Sequence, residues 1–169
     1  MAYKKVCPMS RFNIRKIANM LRKELNLTDT LYVPIVEIYE KLQYKGILEF
    51  EIKEEHEMGD NEGLTFPDKN LIYLRVDVYD RAAAGSGRDR LTLAHELGHF
   101  LLHSKNEVSF ARSKSSVKIY EDPEWQANCF GGEFLISKDL CKEMSEYAIS
   151  QACGVTIKAA GVQKRAFNK

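Results

Sequence analysis

The run of residues 91–103 constrains this chain most, because it places a His-Glu-x-x-His pattern inside an apolar, helix-compatible sequence. On a helix, residues four apart lie on one face about one turn apart. His95 and His99 can therefore direct their imidazoles at the same metal ion. Glu96 is rotated by about 100° from His95, which suits a base acting on water beside that ion. The pattern predicts a catalytic zinc site, which needs a third protein ligand and an open fourth position.

The flanks of this pattern are apolar on nearly all sides and predict a buried helix. They comprise Leu91, Leu93, Ala94, Leu97, Phe100, Leu101 and Leu102. Buried polar groups need partners, and a metal ion would supply one for the histidines. His-Glu-x-x-His fixes only three positions and also arises by chance. Gly98 costs about 1 kcal/mol relative to alanine in a helix interior, which indicates that a packing neighbour or a substrate comes close there.

The third ligand must come from downstream, where the candidates are His103, Glu121, Asp122, Glu124 and Glu133. His103 continues the face of His95 and His99, but each helical turn advances about 5.4 Å. Three stacked side chains on one straight helix cannot make a tetrahedral site. We therefore interpret His103 as a core residue or as a residue that supports the ligands from behind.

Glu124 is the better candidate because it begins a helix-compatible stretch, residues 124–136. Glu124 shares a polar, small-residue face with Asn128, and small residues let another helix approach closely. Asn128 could hydrogen-bond a ligand or the substrate. From spacing alone, Glu124 could equally be a first-turn glutamate that the helix dipole stabilises. Cys129 points away from this face and is interpreted as a core residue.

The rest of the chain predicts a mixture of short helices and strands. Helices are predicted over residues 10–25, 34–46, 77–84, 88–103, 123–136 and 137–149, with a last one ending near 164. Strands are predicted over residues 47–53, 63–66 and 71–76, the last two as a hairpin, with short β-like pieces at 107–111 and 117–120. Residues 54–61 are interpreted as a turn in which His56 is solvated. Residues 105–120 are interpreted as a polar flap near the site.

The first predicted helix is basic, and we interpret its charges as a solvated face. They are Arg11, Arg15, Lys16, Arg22 and Lys23. A nucleic-acid-binding helix is the alternative, but the formal net charge of the chain is only +1, which argues against a nucleic-acid partner. No run approaches the length of a membrane span. The 169 residues are most simply one domain.

The four cysteines form no Cys-x-x-Cys pair. The N-terminal residues 1–10 contain lysines but no apolar core after them, so we expect no secretory signal. We therefore expect free and mostly buried thiols in a reducing compartment.

Two motifs together resemble the ImmA/IrrE metallopeptidases. Residues 88–103 are similar to the active-site segment of that family, and residues 124–135 are similar to its second motif. The resemblance covers residues 30–165, preceded by the basic N-terminal helix within residues 1–30. This chain has Gln126 where the second motif usually has another acidic residue, and Ile136-Ser137 where it usually ends in Met-Pro. The departure at Gln126 puts in doubt whatever role the usual acid plays.

The resemblance implies a two-histidine, one-glutamate zinc site, in which Glu124 is the third ligand and Glu96 is the base. It implies an α+β zincin-like fold, with a small, partly antiparallel sheet packed against helices. One Zn²⁺ per chain, a cytoplasmic location and cleavage of a helix-turn-helix repressor are expected, in a prophage, mobile-element or stress programme. Tyr120, His103 and Tyr73 are candidates for a second electrophile. The strand over residues 71–76 could offer an edge to an extended substrate.

A zinc-stabilised regulatory module is the alternative function. It would act by contact and not by cleavage, as in toxin–antitoxin-like pairs or anti-repressors. The intact Glu96 argues against this alternative, because a purely structural site has no use for a base beside the water. The sequence does not indicate an oligomeric state.

Overall fold

The computed structural model of the chain describes residues 2–103 and 109–169. The predicted flap (105–120) and β-like piece (107–111) lie partly outside the described residues. In chain order the elements are β1 (Tyr3–Lys5), α1 (Arg11–Glu24), α2 (Ile35–Tyr44), β2 (Glu49–Lys53), α3 (Glu55–Met58), β3 (Gly63–Phe66), β4 (Leu71–Arg75), α4 (Val76–Ala83), α5 (Gly87–Leu102), β5 (Ser109–Ala111), α6 (Pro123–Leu135), α7 (Lys138–Cys141), α8 (Glu146–Cys153) and α9 (Ile157–Ala166).

The main sheet has three strands in the order β2-β4-β3. β4 is parallel to β2 and antiparallel to β3, so the predicted hairpin and the predicted α+β class with a partly antiparallel sheet are confirmed. The expectation that residues 71–76 offer a free edge is wrong, because β4 is paired on both sides. The two edge strands of this sheet are β2 and β3. A separate antiparallel ribbon joins β1 to β5, with Tyr3 opposite Ala111.

α5 and α6 pack closely because glycines lie at their contact. A Cβ atom added at Gly98 would lie 3.1 Å from the carbonyl oxygen of Ala127. A Cβ atom added at Gly131 would lie 3.4 Å from the backbone nitrogen of His95. The close approach that Gly98 predicts is therefore made by a packing neighbour, α6. This contact brings the first turn of α6 beside the histidines of α5.

α5 is mostly buried, as its apolar flanks predict. Leu93, Ala94 and Leu97 are fully buried in a core that also includes Ile14 of α1. Leu101 departs from the prediction because it lies on the outer side of the last turn and is 39% exposed. Among the described residues, no helix is long and apolar enough to cross a membrane.

The basic helix α1 is only partly a solvated face. Lys16 and Lys23 are exposed, as expected. Arg11 and Arg15, however, bond to the carboxylate of Glu133, which is 1% exposed on α6. Arg22 is itself buried and donates to the carbonyl oxygen of Phe134 at 2.7 Å. The prediction fails for these three arginines because a buried carboxylate and a buried carbonyl group both need donors, and α1 supplies them.

Three local predictions are also wrong. Residues 54–61 are not only a turn, since Glu54 caps the short helix α3. Residues 117–120 form no strand, because a 3₁₀ turn occupies Ile119–Glu121. The predicted helix over residues 137–149 is two helices, because the side chain of Ser145 accepts from the backbone of Ala148 and starts α8.

The prediction of free and mostly buried thiols is confirmed, whereas the reducing compartment stays a prediction. All four thiols are free, and three of them are buried.

Candidate metal centre

Three side chains from α5 and α6 converge on one point. Nε2 of His95 and Nε2 of His99 lie 3.0 Å apart. One carboxylate oxygen of Glu124 lies 3.3 Å from His95 Nε2, and the other lies 3.2 Å from His99 Nε2. Ligands held about 2.0–2.2 Å from a tetrahedral zinc ion are roughly 3.3 Å from one another. The group therefore has the size and the ligand types that suit zinc.

The polar atoms at this point need a cation between them. His95 Nδ1 lies 2.9 Å from Asn128 Oδ1, and an amide oxygen can only accept. The ring proton of His95 therefore lies on Nδ1, and Nε2 presents a lone pair toward the carboxylate of Glu124. A lone pair facing a carboxylate is repulsive unless a metal ion or a proton lies between them. The residues present thus fit a bound divalent metal.

The close spacing of these groups shifts the pKa values of Glu124, His95 and the neighbouring His103. The imidazoles of His95 and His99, which face its carboxylate, hold the pKa of Glu124 far below its usual value. Burial lowers the pKa of His95, but the contact with Glu124 and the nearby carboxylates outweigh burial and raise it. The pKa of His103 falls to about 4, first because the ring is buried and second because His99 lies beside it. The centre therefore attracts positive charge, and the ring behind it is kept neutral.

Glu96 lies beside the converging side chains and is 7% exposed. Thr65 of β3 donates from Oγ1 to Glu96 Oε2 at 2.6 Å and contacts the Glu96 carbonyl oxygen at 3.1 Å. A Cβ atom added at Gly63 would lie 2.5 Å from Glu96 Cγ, so only glycine leaves room for this carboxylate. Neither of these two β3 residues is predicted from the sequence to belong to the site. Their spacing of two places them on one face of a strand, which is the signal that could have grouped them.

Two clefts meet at His95 and Glu96. The larger, of about 660 Å³, lies between β3 and the β1-β5 ribbon. Away from the metal centre, its walls combine apolar side chains with charged ones: Val6, Leu64, Phe66, Phe110, Lys4, Asp68 and Lys69. The smaller, of about 430 Å³, is polar and includes Asp60, Glu62, Arg88 and Asn128. An extended chain that crosses the centre would therefore meet different surfaces on its two sides.

The structure directs the other ligand candidates elsewhere. Glu121 pairs with Lys5 at 2.9 Å, and Asp122 caps α6 by accepting from the backbone of Glu124 at 2.9 Å. Glu133 lies against α1. His103 lies behind His99, with 2.9 Å between their Nδ1 atoms.

The candidates for a second electrophile differ in their positions. In the described chain, His103 is one of the residues that line the larger cleft, whereas Tyr73 and Tyr120 are not. The ring of Tyr73 packs edge-on against Phe66.

A mixed α+β fold with two histidines on one helix and a glutamate on the next is that of a zincin-like metallopeptidase domain. The model of the IrrE N-terminal-like domain, peptidase family M78, matches residues 43–159, and the chain belongs to this family. The expected family is thus confirmed, over a somewhat shorter range than residues 30–165. No curated protein matches the chain. Membership supports a metallopeptidase-type function in general, with metal dependence typical of the family and a protein as the general substrate class.

Proposed function

We propose that this chain is a cytoplasmic zinc endopeptidase that holds one Zn²⁺ with His95, His99 and Glu124. The observation that carries the proposal is the convergence of these side chains, 3.0–3.3 Å apart, at a point where Glu96 and both clefts meet. Bound there, zinc would lower the pKa of a water molecule towards about 7 and polarise a peptide carbonyl group.

Glu96 is the general base of the proposed reaction. Its carboxylate accepts the proton of the attacking water and then delivers it to the departing amine. The hydrogen bond from Thr65 holds Oε2 at 2.6 Å and leaves Oε1 to take the proton.

β3 supports an extended peptide as the substrate. It is one of the two edge strands of the sheet, and its residues line the larger cleft beside Glu96. A peptide in that cleft can add to the sheet through backbone hydrogen bonds, while its side chains meet apolar pockets. Leu64 and Phe66 provide such walls.

A helix-turn-helix repressor of a prophage, mobile element or stress response is the proposed protein substrate. This part of the proposal rests on the family to which the chain belongs. An extended linker between the domains of such a repressor would suit a cleft that takes peptide as a strand.

Glu96→Gln tests the proposal, because it removes the base while keeping the side-chain shape. Wild-type and variant chains would be loaded with zinc and incubated with a panel of purified helix-turn-helix repressors. We expect cleavage by the wild type, loss of cleavage in Glu96→Gln with zinc content unchanged, and full cleavage by the exposed-site control Glu143→Gln. If a repressor is inactivated equally by the wild type and by Glu96→Gln without being cut, the chain is a binding module.

A further inference from the structure

Gln126 connects the candidate metal centre to the segment that precedes α1. Its side chain is fully buried on α6. The amide nitrogen donates to the carbonyl oxygens of Cys7 and Tyr120, each at 2.8 Å. The amide oxygen lies 3.1 Å from Nε2 of His103. All three polar contacts of this side chain are therefore made within the protein.

These contacts fix which way the amide points. Backbone carbonyl groups can only accept hydrogen bonds, so the nitrogen end of Gln126 must face Cys7 and Tyr120. The oxygen end then faces His103 and can only accept. The proton of the His103 ring consequently lies on Nε2.

The position of the ring proton on His103 in turn determines the position of the ring proton on His99. The His103 ring is 4% exposed, and its described hydrogen bonds go only to Gln126 and His99. With its ring proton held on Nε2 by the Gln126 oxygen, the His103 ring has a lone pair on Nδ1 and accepts there. His99 Nδ1, which lies 2.9 Å away, must therefore donate. The proton of His99 is then held on Nδ1, and Nε2 keeps the lone pair that faces Glu124.

We infer that Gln126 is a positioning residue that sets, through His103, the tautomer in which His99 Nε2 is free to bind the metal. The inference rests on the proposed zinc site. It also explains why an amide suits this chain. A carboxylate at position 126 could accept from His103, but it would face the carbonyl groups of Cys7 and Tyr120 with no hydrogen to donate.

Nitrogen-15 NMR of the histidine rings tests the inference on the unmodified chain. We expect His103 to carry its proton on Nε2, both in the zinc-loaded protein and after chelation. A proton on Nδ1 of His103, or protons on both nitrogens, would overturn the inference even if zinc binds. Failure of the wild type to bind zinc would refute the proposed function instead, so the two failures are distinguishable.

Two variants separate the acceptor role of Gln126 from its contacts with the backbone. Gln126→Leu removes the acceptor, and we expect the Kd for zinc to rise about 10–100-fold, measured at pH 8 by competition with a chromogenic chelator. Gln126→Glu keeps an acceptor for His103 but loses both donor contacts, and we expect its Kd to stay within about threefold of wild type. Equal losses of affinity in the two variants would overturn the inference. Cys129→Ala, on the same helix but away from the centre, is the control with unchanged Kd.

Discussion

Glu133→Gln tests how strongly α1 is held to the helix that carries Glu124. The Glu133 carboxylate is 1% exposed and accepts from Arg11 at 3.1 Å and from Arg15 at 2.8 and 3.1 Å. Glutamine keeps the shape but has one oxygen, so at least one charge-assisted hydrogen bond of about 1.5–3 kcal/mol is lost. Its amide hydrogens also face guanidinium donors. Removing one partner of a fully buried pair costs about 3–5 kcal/mol, but these arginine side chains are 19% and 12% exposed and can reach water.

We therefore expect Glu133→Gln to lower the free energy of unfolding by about 2–3 kcal/mol. Urea unfolding measures this directly, and the Tm should fall by roughly 4–12 °C for a chain of this size. The control is Glu24→Gln at an exposed position on α1, which should change the stability by less than about 0.5 kcal/mol. A Glu133→Gln chain as stable as wild type would refute the reasoning, since the cost of burying the charges would then cancel their attraction.

Two further predictions concern activity and pH. Gly63→Ala places a Cβ atom 2.5 Å from Glu96 Cγ, against an ordinary contact of about 3.5–4.0 Å. The carboxylate must therefore move away by about 1 Å, and repressor cleavage should slow about 100-fold with zinc content unchanged. The control Gly161→Ala, whose added Cβ meets only movable side-chain ends, should cleave at the wild-type rate. Equal cleavage rates for Gly63→Ala and the wild type would contradict the proposed role of Gly63. Burial raises the pKa of Asp89, but its bonds to Arg81 outweigh burial and lower it. The stabilisation by the Asp89 carboxylate is thus present above the unfolded pKa of about 3.9 and lost as the pH falls through the lower folded value. We therefore expect the urea concentration at the unfolding midpoint to decrease in the wild type when the pH is lowered below about 4. The decrease should be smaller in Asp89→Asn.

Much of the fold can be predicted because its signals are local. The apolar stripe of α1, the caps of α1 and α6 and the β3-β4 hairpin each depend on neighbours within a few residues. The central position of β4 could not be predicted, because it depends on parallel pairing with β2 across α3 and β3. The contact of α1 with α6 could not be predicted either, because Arg15 meets Glu133 only when these two helices, distant in sequence, pack together.

The candidate site also combines residues that the sequence predicts with residues that it does not predict. His95, Glu96 and His99 follow from spacing on one helix. Spacing alone leaves Glu124 as one of two interpretations, because its approach to the histidines depends on how α5 and α6 pack. The family resemblance identifies it as the third ligand. The contact between Thr65 and Glu96, and the chain of hydrogen bonds from Gln126 to His99, join residues from separate elements. No periodic pattern in the sequence records such contacts.

The metal content of the chain, purified without chelator or added zinc, tests the central claim most directly. We expect about one zinc per chain in the wild type, lost or sharply reduced in Glu124→Ala and unchanged in the exposed-site control Glu143→Ala. Zinc absent from the wild type, even after zinc is offered and the excess removed, would contradict the account and leave a binding module that keeps the family's fold.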